Sequence, residues 1–494
     1  MAVDNNDTAL WSADELLSAL PFAKLDGEIT QPITGFSIDT RSLKPGEIFV
    51  ALKDQRDGHD FVTAAFKAGA AAAIVEDTYQ PQADDGALIR CLPKADQASV
   101  PHTDGASGGA VLDALQRIGI AARQRLGQHA RVVAVTGSAG KTGTKEMLRA
   151  CFALIGKVHA SDKSFNNHWG VPLTLANMPR DVDFAVLEVG MNHAGEIAAL
   201  VPLVAPHAAI ITTVDAVHLE HFASVEDIAR AKAEIFLGLV SGGVAIIKRD
   251  SPHFELLQTS ARAQSARVVS FGLDDRADVH AQALDQHDDG STIVAALLDQ
   301  RIEYRLAIPG RHIIENSLAV VATLLALDVQ VSDAITALAT LPPPPGRGAR
   351  TMLRVGGGDV LLIDESYNAN PASMRAALAT LSGVSKDKFS RKIAVLGDML
   401  ELGSASDELH RGLIDAVIAA SVDLLFVCGS NMKGLYDVAP PAIKGGHAET
   451  SEGLTELVVG ALQAGDAVMV KASNGTRLGL LAAALRTRFA VSGA

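Results

Sequence analysis

Three groups of residues in this chain have types and spacing suited to chemistry. The first is Thr136-Gly137-Ser138-Ala139-Gly140-Lys141-Thr142, which follows the apolar run RVVAV and leads into the helical pattern KEML. Glycines let backbone N–H groups close around phosphate oxygens, and a helix N-terminus adds positive potential. Lys141 can reach the β- and γ-phosphates, and Thr142 can bind Mg²⁺. The full P-loop spacing fails because Val135, six before Lys141, is not glycine. A shorter G-x-x-G-K-T form remains, and a plain glycine-rich strand-to-helix turn is the alternative.

The second is a lysine on an apolar helix face. In the stretch 226–239, Ile228, Ala231, Ile235, Phe236 and Leu239 form one stripe, and Lys232 falls within it. Lysines are rarely buried without a partner. Burial favours the neutral amine, which can add CO₂ and become a carbamate, in effect a long carboxylate able to hold a divalent metal. Spacing alone equally allows Lys232 to snorkel or to pair with Glu234 or a distant acid.

The third is a set of residues at strand ends. Glu188 ends the run FAVLE, and His218 follows AAIITTV. Doubly wound sheets bind ligands at the carboxyl ends of their strands, and a carboxylate beside the glycine loop suits Mg²⁺. A lone histidine is more often structural than functional. Asp364, Asp398 and Ser473 end later strands and could face the same cleft, although each alone is a common loop residue.

The elements that must carry these groups alternate strand and helix, which predicts an α/β fold in three domains. Ser12 and Glu15 read as a capping box opening a helix in a small N-terminal α/β domain, 1–106. The flexible DGASGG at 104–109 is the first boundary. A central P-loop-like ATPase domain, 107–338, has a mostly parallel sheet built on RVVAVT, FAVLEVG, AAIITTV and GVAIIK. PPPPG at 342–346 makes a stiff connector. Beyond it, DVLLID, KIAVLGD, DLLFVCGS and DAVMVKAS predict a Rossmann-like C-terminal domain, 339–494.

The net charge of −14 repels phosphate backbones, so nucleic acid is not an expected partner. Anionic substrates would have to be met by local cations. No apolar run reaches the ~18 residues needed to span a bilayer. The opening segment lacks the pattern of a secretory signal. Three scattered cysteines, Cys91, Cys151 and Cys428, form neither a disulfide framework nor a metal cluster. A cytoplasmic protein is therefore expected.

Together, TGSAGKTGTKEM, SFNNHWGVPLTL, LEVGMNHAGEI, HLEHFASVEDIARAKAEIF, PGRHIIENSLAV, the GRG at 346–348, DESYNANPASM and LGDMLELG resemble the Mur ligase family. SIDTRSLKPGEIFVAL and GHDF resemble that family's UDP-sugar-binding domain, so the resemblance runs over nearly the whole chain. It implies an ATP-dependent amide ligase acting through an acyl phosphate, with UDP-MurNAc-tripeptide and D-Ala-D-Ala as partners. It implies a monomer, two Mg²⁺ ions, and CO₂ held as a carbamate on Lys232.

Carried over by motif, Lys141, Glu188, His218 and Lys232 are the catalytic set. Gly137, Ser138, Ala139, Gly140, Thr142, Gly143, Asn316, Arg347, Asp364 and Glu365 would bind ATP. Thr142, Glu188, His218 and Lys232 would hold metal, and Ser37, Asp39, Thr40, Arg41, Asn166 and Asn167 would hold the UDP-linked substrate. Ala139, Gly143 and Glu365 depart from the usual family residues, and 53–59 appears one residue short. KASNGTRL is a loose version of the closing motif, with Lys471 and Ser473 in it. A sister ligase adding one amino acid, a folylpolyglutamate synthase, a nucleotide-gated binding protein and a P-loop kinase are the rival readings.

Overall fold

The computed structural model describes residues 9–54, 56–92, 109–162, 164–217, 219–287, 290–298 and 300–490. His218 and all of DGASGG except Gly109 lie outside the described residues. The described chain forms three sheets.

The first sheet comprises β1 (Ala23–Asp26), β2 (Gly35–Ser37), β3 (Glu47–Val50), β4 (Ala72–Glu76) and β5 (Leu88–Cys91), in the order β1-β5-β4-β3-β2. Only β1 runs antiparallel to its neighbour in this sheet. The predicted capping box is present: Ser12 Oγ accepts the Glu15 N–H, and the Glu15 carboxylate accepts the Ser12 N–H.

The second sheet is built from β6 (Arg131–Thr136), β7 (Val158–Ala160), β8 (Phe184–Glu188), β9 (Ala208–Ile211), β10 (Val244–Lys248), β11 (Arg267–Gly272), β12 (Val279–His287), β13 (Gly290–Leu297) and β14 (Gln300–Leu306). Their order is β14-β13-β12-β11-β10-β9-β6-β8-β7. From β7 to β12 the neighbours are parallel, and apolar clusters cover both faces. That explains the unbroken apolar run of β6, since a strand buried on both sides has no polar face to alternate with. The antiparallel β12–β14 extension was not expected from the sequence. Gln282–His287 of β12 are exposed, so burial imposes no apolar alternation there.

The third sheet contains β15 (Ala349–Val355), β16 (Gly358–Glu365), β17 (Arg391–Gly397), β18 (Leu424–Cys428), β19 (Lys444–Ala448) and β20 (Asp466–Lys471), ordered β15-β16-β20-β17-β18-β19. Apart from the β15–β16 hairpin all neighbours are parallel, with an apolar cluster on each face, as a Rossmann-like sheet requires.

The first sheet packs on two helices that flank the start of the second, whereas the third sheet keeps its own clusters. The Gly109–Gln124 helix packs Leu115 and Ile118 into one cluster with Trp11, Ile33 and Phe36, and with Leu173 and Ala176 of the Gly170–Ala176 helix. Asn177 sutures this seam, accepting the Phe36 N–H at 2.8 Å and donating to the Phe36 carbonyl at 3.0 Å.

Candidate active site

The glycine loop leaves β6 at the point where the sheet order reverses: β8 and β9 lie on either side of β6. Chain connections diverge there and open a crevice at the strands' carboxyl ends. Two loop glycines are sterically required. Gly137 has φ +149, and a Cβ on it would fall 1.9 Å from Thr212 Oγ1. Gly140 has φ +86 and caps the Lys141–Ala153 helix; its Cβ would lie 2.6 Å from Asn316 Oδ1. A Cβ on Gly143 would meet Asn316 Nδ2 at an ordinary 3.8 Å. Asn316, expected at ATP, thus lies against the loop, 176 positions on from Gly140.

The loop is tied to the segment after β9. Ser138 Oγ donates to the Asp215 carbonyl at 3.0 Å and accepts the Asp215 N–H at 2.9 Å. The Ala139 N–H donates to Thr213 Oγ1 at 3.2 Å. Lys141 donates Nζ to the Gly137 carbonyl at 2.6 Å. Burial lowers its pKa; the Glu188 carboxylate opposes that shift and the Arg347 guanidinium adds to it.

Glu188, at the end of β8, is 1% exposed. Thr142 donates Oγ1 to its Oε2 at 2.8 Å, and Asn166 donates Nδ2 to its Oε1 at 2.8 Å. Its backbone N–H donates to Ser161 Oγ at 3.2 Å. Asn166, expected at the UDP-linked substrate, is therefore built onto this carboxylate. Asn167 Oδ1 accepts the Gly170 N–H at 2.9 Å and so serves the start of the next helix.

Lys232 is 2% exposed, in the company its spacing predicted: Ile228, Ala231, Ile235 and Phe236 are all buried. The Val225–Ala233 α-helix continues as one 3₁₀ stretch through Gly238, which keeps the stripe on one side. Glu234, the neighbouring acid, is engaged elsewhere. Its carboxylate accepts the N–H groups of Gly195 and Ala198 at 2.8 and 3.0 Å, at the start of the Glu196–Val204 helix. Burial pushes the Lys232 pKa well below its ordinary value; Lys141 adds to the shift, and Asp215 opposes it. That shift favours the uncharged form of the amine.

Two cavities flank the glycine loop. The larger lies between the second and third sheets, with Ala139, Gly140 and Gly143 on one wall and Arg347, Glu365 and Lys471 on the other. The second is lined by Ser138 and Lys141 and by Asn370, Leu402 and Ser473 of the C-terminal region.

Adjacent side chains of a strand point to opposite faces, and this separates the two β16 acids. Glu365 lines the larger cavity, where Lys471 donates to it at 3.3 Å. Asp364, also expected at ATP, spends Oδ1 on the N–H and Oγ of Ser366 and Oδ2 on Arg486 at 2.8 Å. Asp398 likewise holds the Asn431–Met432 turn rather than the cleft. Ser473 does line the second cavity and accepts the Leu400 N–H at 3.1 Å.

The Ser37–Arg41 turn follows β2 at the seam sutured by Asn177, and Asp39 and Arg41 form a side-chain fork with each other. Thr40 lies within that turn. Sequence reasoning missed several cleft residues. Lys248 and Glu315 pair at 2.8 Å in its lining, and His312, its pKa lowered by burial, lines it with Asp215. Lys248 and Asp215 follow the same strand-end rule that singled out Glu188; the others carry no local signal.

A glycine loop at the switch point of a parallel sheet, faced by a Rossmann-like sheet, defines the class. Residues 135–324 match the Mur ligase middle domain, and 350–474 match the Mur ligase glutamate ligase domain. The chain belongs to the Mur ligase family, and is a ligase of peptidoglycan synthesis. It is 33% identical over 453 residues to the UDP-N-acetylmuramoyl-tripeptide--D-alanyl-D-alanine ligase of Bacillus subtilis, covering 90% of this chain and 92% of that one. The Escherichia coli protein of the same name is 36% identical over 393 residues, covering 79% and 80%. The crystal structure of MurF from Acinetobacter baumannii superposes with a TM-score of 0.81 at 28% identity, over 97% and 99% of the two chains.

Proposed function

We propose that this ligase joins D-Ala-D-Ala to UDP-MurNAc-tripeptide, with ATP converted to ADP and phosphate. The carrying observation is the placement of the glycine loop between two cavities. One has the loop backbone and Asn316 on its wall and suits a nucleotide; the other opens on Lys141 and suits the two groups to be joined. The names of the relatives supply the substrates.

The substrate carboxylate attacks the γ-phosphorus of ATP, the bond to the β-phosphate oxygen breaks, and ADP leaves an acyl phosphate. The free amine of D-Ala-D-Ala then attacks the acyl carbon, loses a proton and expels phosphate. The chain's part is positioning and charge stabilisation. Loop N–H groups and Lys141 hold the phosphates, Arg347 and Lys471 bring positive charge from the C-terminal side, and the Ser37–Arg41 turn holds the uridine-linked substrate with Asn167. Residues 1–106, 107–338 and 339–494 would thus bind the UDP substrate, bind ATP and close the cleft.

Thr142 and Glu188, which meet at 2.8 Å, fit one Mg²⁺ ion, and the family resemblance supplies a second. Among the described residues no group of three or more His, Cys, Asp or Glu could hold a metal by itself. A site of one or two protein oxygens completed by phosphate is the arrangement Mg²⁺ prefers. Thr142 and Glu188 would hold one ion, and Lys232 as a carbamate, with His218, the other. Bound there, the ions would neutralise crowded phosphate and carboxylate charge.

The test is phosphate release with UDP-MurNAc-tripeptide, D-Ala-D-Ala and ATP, each omitted in turn. Release should require all three. Equal release with a single amino acid or a folate as acceptor or donor would overturn the substrate assignment.

A further inference from the structure

Tyr367 stands where the second and third sheets face each other, and three contacts fix it. Its backbone N–H donates to the Gly346 carbonyl at 3.1 Å, and a Cβ on Gly346 would come within 3.0 Å of its own. The Arg347 guanidinium lies over its ring, 4.4 Å from the centroid. Its hydroxyl crosses the domain junction and donates to Ser164 Oγ at 2.9 Å.

Ser164 is two residues before Asn166, whose side chain holds Glu188 Oε1 at 2.8 Å. The intervening Phe165 packs edge-on against Trp169, 5.5 Å between centroids, and the Asn166 carbonyl accepts the Gly190 N–H at 2.8 Å. The short segment 164–166 is therefore held at both its apolar and polar ends. At the other end of the path, Arg347 shares the wall of the larger cavity with Glu365.

We propose that Tyr367 is a positioning residue that links closure of the C-terminal sheet on the cleft to the orientation of the Glu188 carboxylate, through Ser164 and Asn166. Nucleotide bound against Arg347 would hold Tyr367 in place, and Tyr367 would hold Glu188 aimed at the metal. The inference rests on the proposed role of Glu188 as a Mg²⁺ ligand. Glu188→Gln tests that role by itself, because its affinity for ADP should gain less than that of wild type when Mg²⁺ replaces EDTA.

The experiment is calorimetric titration of ADP into Tyr367→Phe, Ser164→Ala and the double variant, once with Mg²⁺ and once with EDTA. Tyr367→Phe keeps the ring under Arg347 and removes only the hydroxyl. Each single variant should lose about fivefold in affinity with Mg²⁺, the size of one hydrogen bond, and nothing in EDTA. The double variant should lose no more than either single one, since both remove the same link. Equal losses with and without metal, multiplied losses in the double variant, or no loss at all would each overturn the relay. If Glu188→Gln gains as much from Mg²⁺ as wild type does, the Glu188 assignment fails first, and the relay built on it fails too.

Discussion

Thr142 and Glu188 meet across 46 positions of sequence, with the threonine hydroxyl donating to Oε2 at 2.8 Å. The helix that begins the phosphate loop and the strand that ends beside it are thus joined at their functional atoms. Glu188→Gln keeps the shape but turns an acceptor into a donor facing the Asn166 amide. A buried hydrogen bond lost this way costs about 1–2 kcal/mol, so the variant should fold with a slightly lower melting temperature. Phosphate release should fall about 100-fold or more, with a higher Mg²⁺ requirement. Near wild-type turnover in a Mg²⁺ titration would remove Glu188 from the metal site.

Lys232 predicts an unusual pH dependence. Burial holds its folded pKa well below its ordinary value, so the unfolded chain binds a proton that the folded chain releases. Stability lost to this is greatest below the folded pKa and recovers as pH rises toward the unfolded value near ~10.4. Lys232→Met lacks the penalty. In CO₂-free buffer it should melt above wild type near neutral pH, and the gap should narrow toward pH ~10. A gap independent of pH would argue against a neutral buried amine.

The carbamate has its own signature. Bicarbonate should raise the melting temperature of wild type and leave Lys232→Met unchanged, because a ligand that binds only the folded state stabilises it. Lys232→Ala should nearly abolish phosphate release. Near-normal activity of that variant without an added short carboxylic acid would count against the carbamate.

The loop glycines separate into required and replaceable. Gly137→Ala places a methyl 1.9 Å from Thr212 Oγ1 at φ +149, and should cost ~2–4 kcal/mol or displace the loop. Nucleotide affinity should collapse with it. Gly143→Ser meets only ordinary contact at 3.8 Å and should keep activity within about twofold while gaining a few tenths of a kcal/mol in helix propensity. Parallel denaturation and nucleotide titrations of the two variants would check both.

The β16 acids should divide in the same way. Asp364→Asn breaks a pair with Arg486 at 2.8 Å and should lower stability by ~2–4 kcal/mol with little change in ATP affinity. Glu365→Gln, beside Lys471 in the cleft, should change the KM for ATP with a smaller effect on melting. The reverse pattern would place Asp364, and not Glu365, at the nucleotide.

Much of the site was legible because it is local. A turn that closes on phosphate needs glycines where a Cβ cannot go, so Gly137 and Gly140 announce themselves within six residues of Lys141. Lys232 was legible for a similar reason: positions three and four apart share one helix face, and its neighbours on that face are Ile228, Ile235 and Phe236. The strand-end rule found Glu188 because a parallel sheet delivers its polar residues at one edge.

The tertiary structure decided which of these groups act on each other. Whether Asp364 or Glu365 entered the cleft depended on the face β16 turned toward it. Asn166 became a partner of Glu188 because the sheet order sets its loop beside β8. Tyr367 reached Ser164 across 203 positions. Backbone sterics and helical period act over a handful of residues and leave a mark in sequence spacing. Contacts between separate sheets depend on how whole domains pack, and no spacing rule records them.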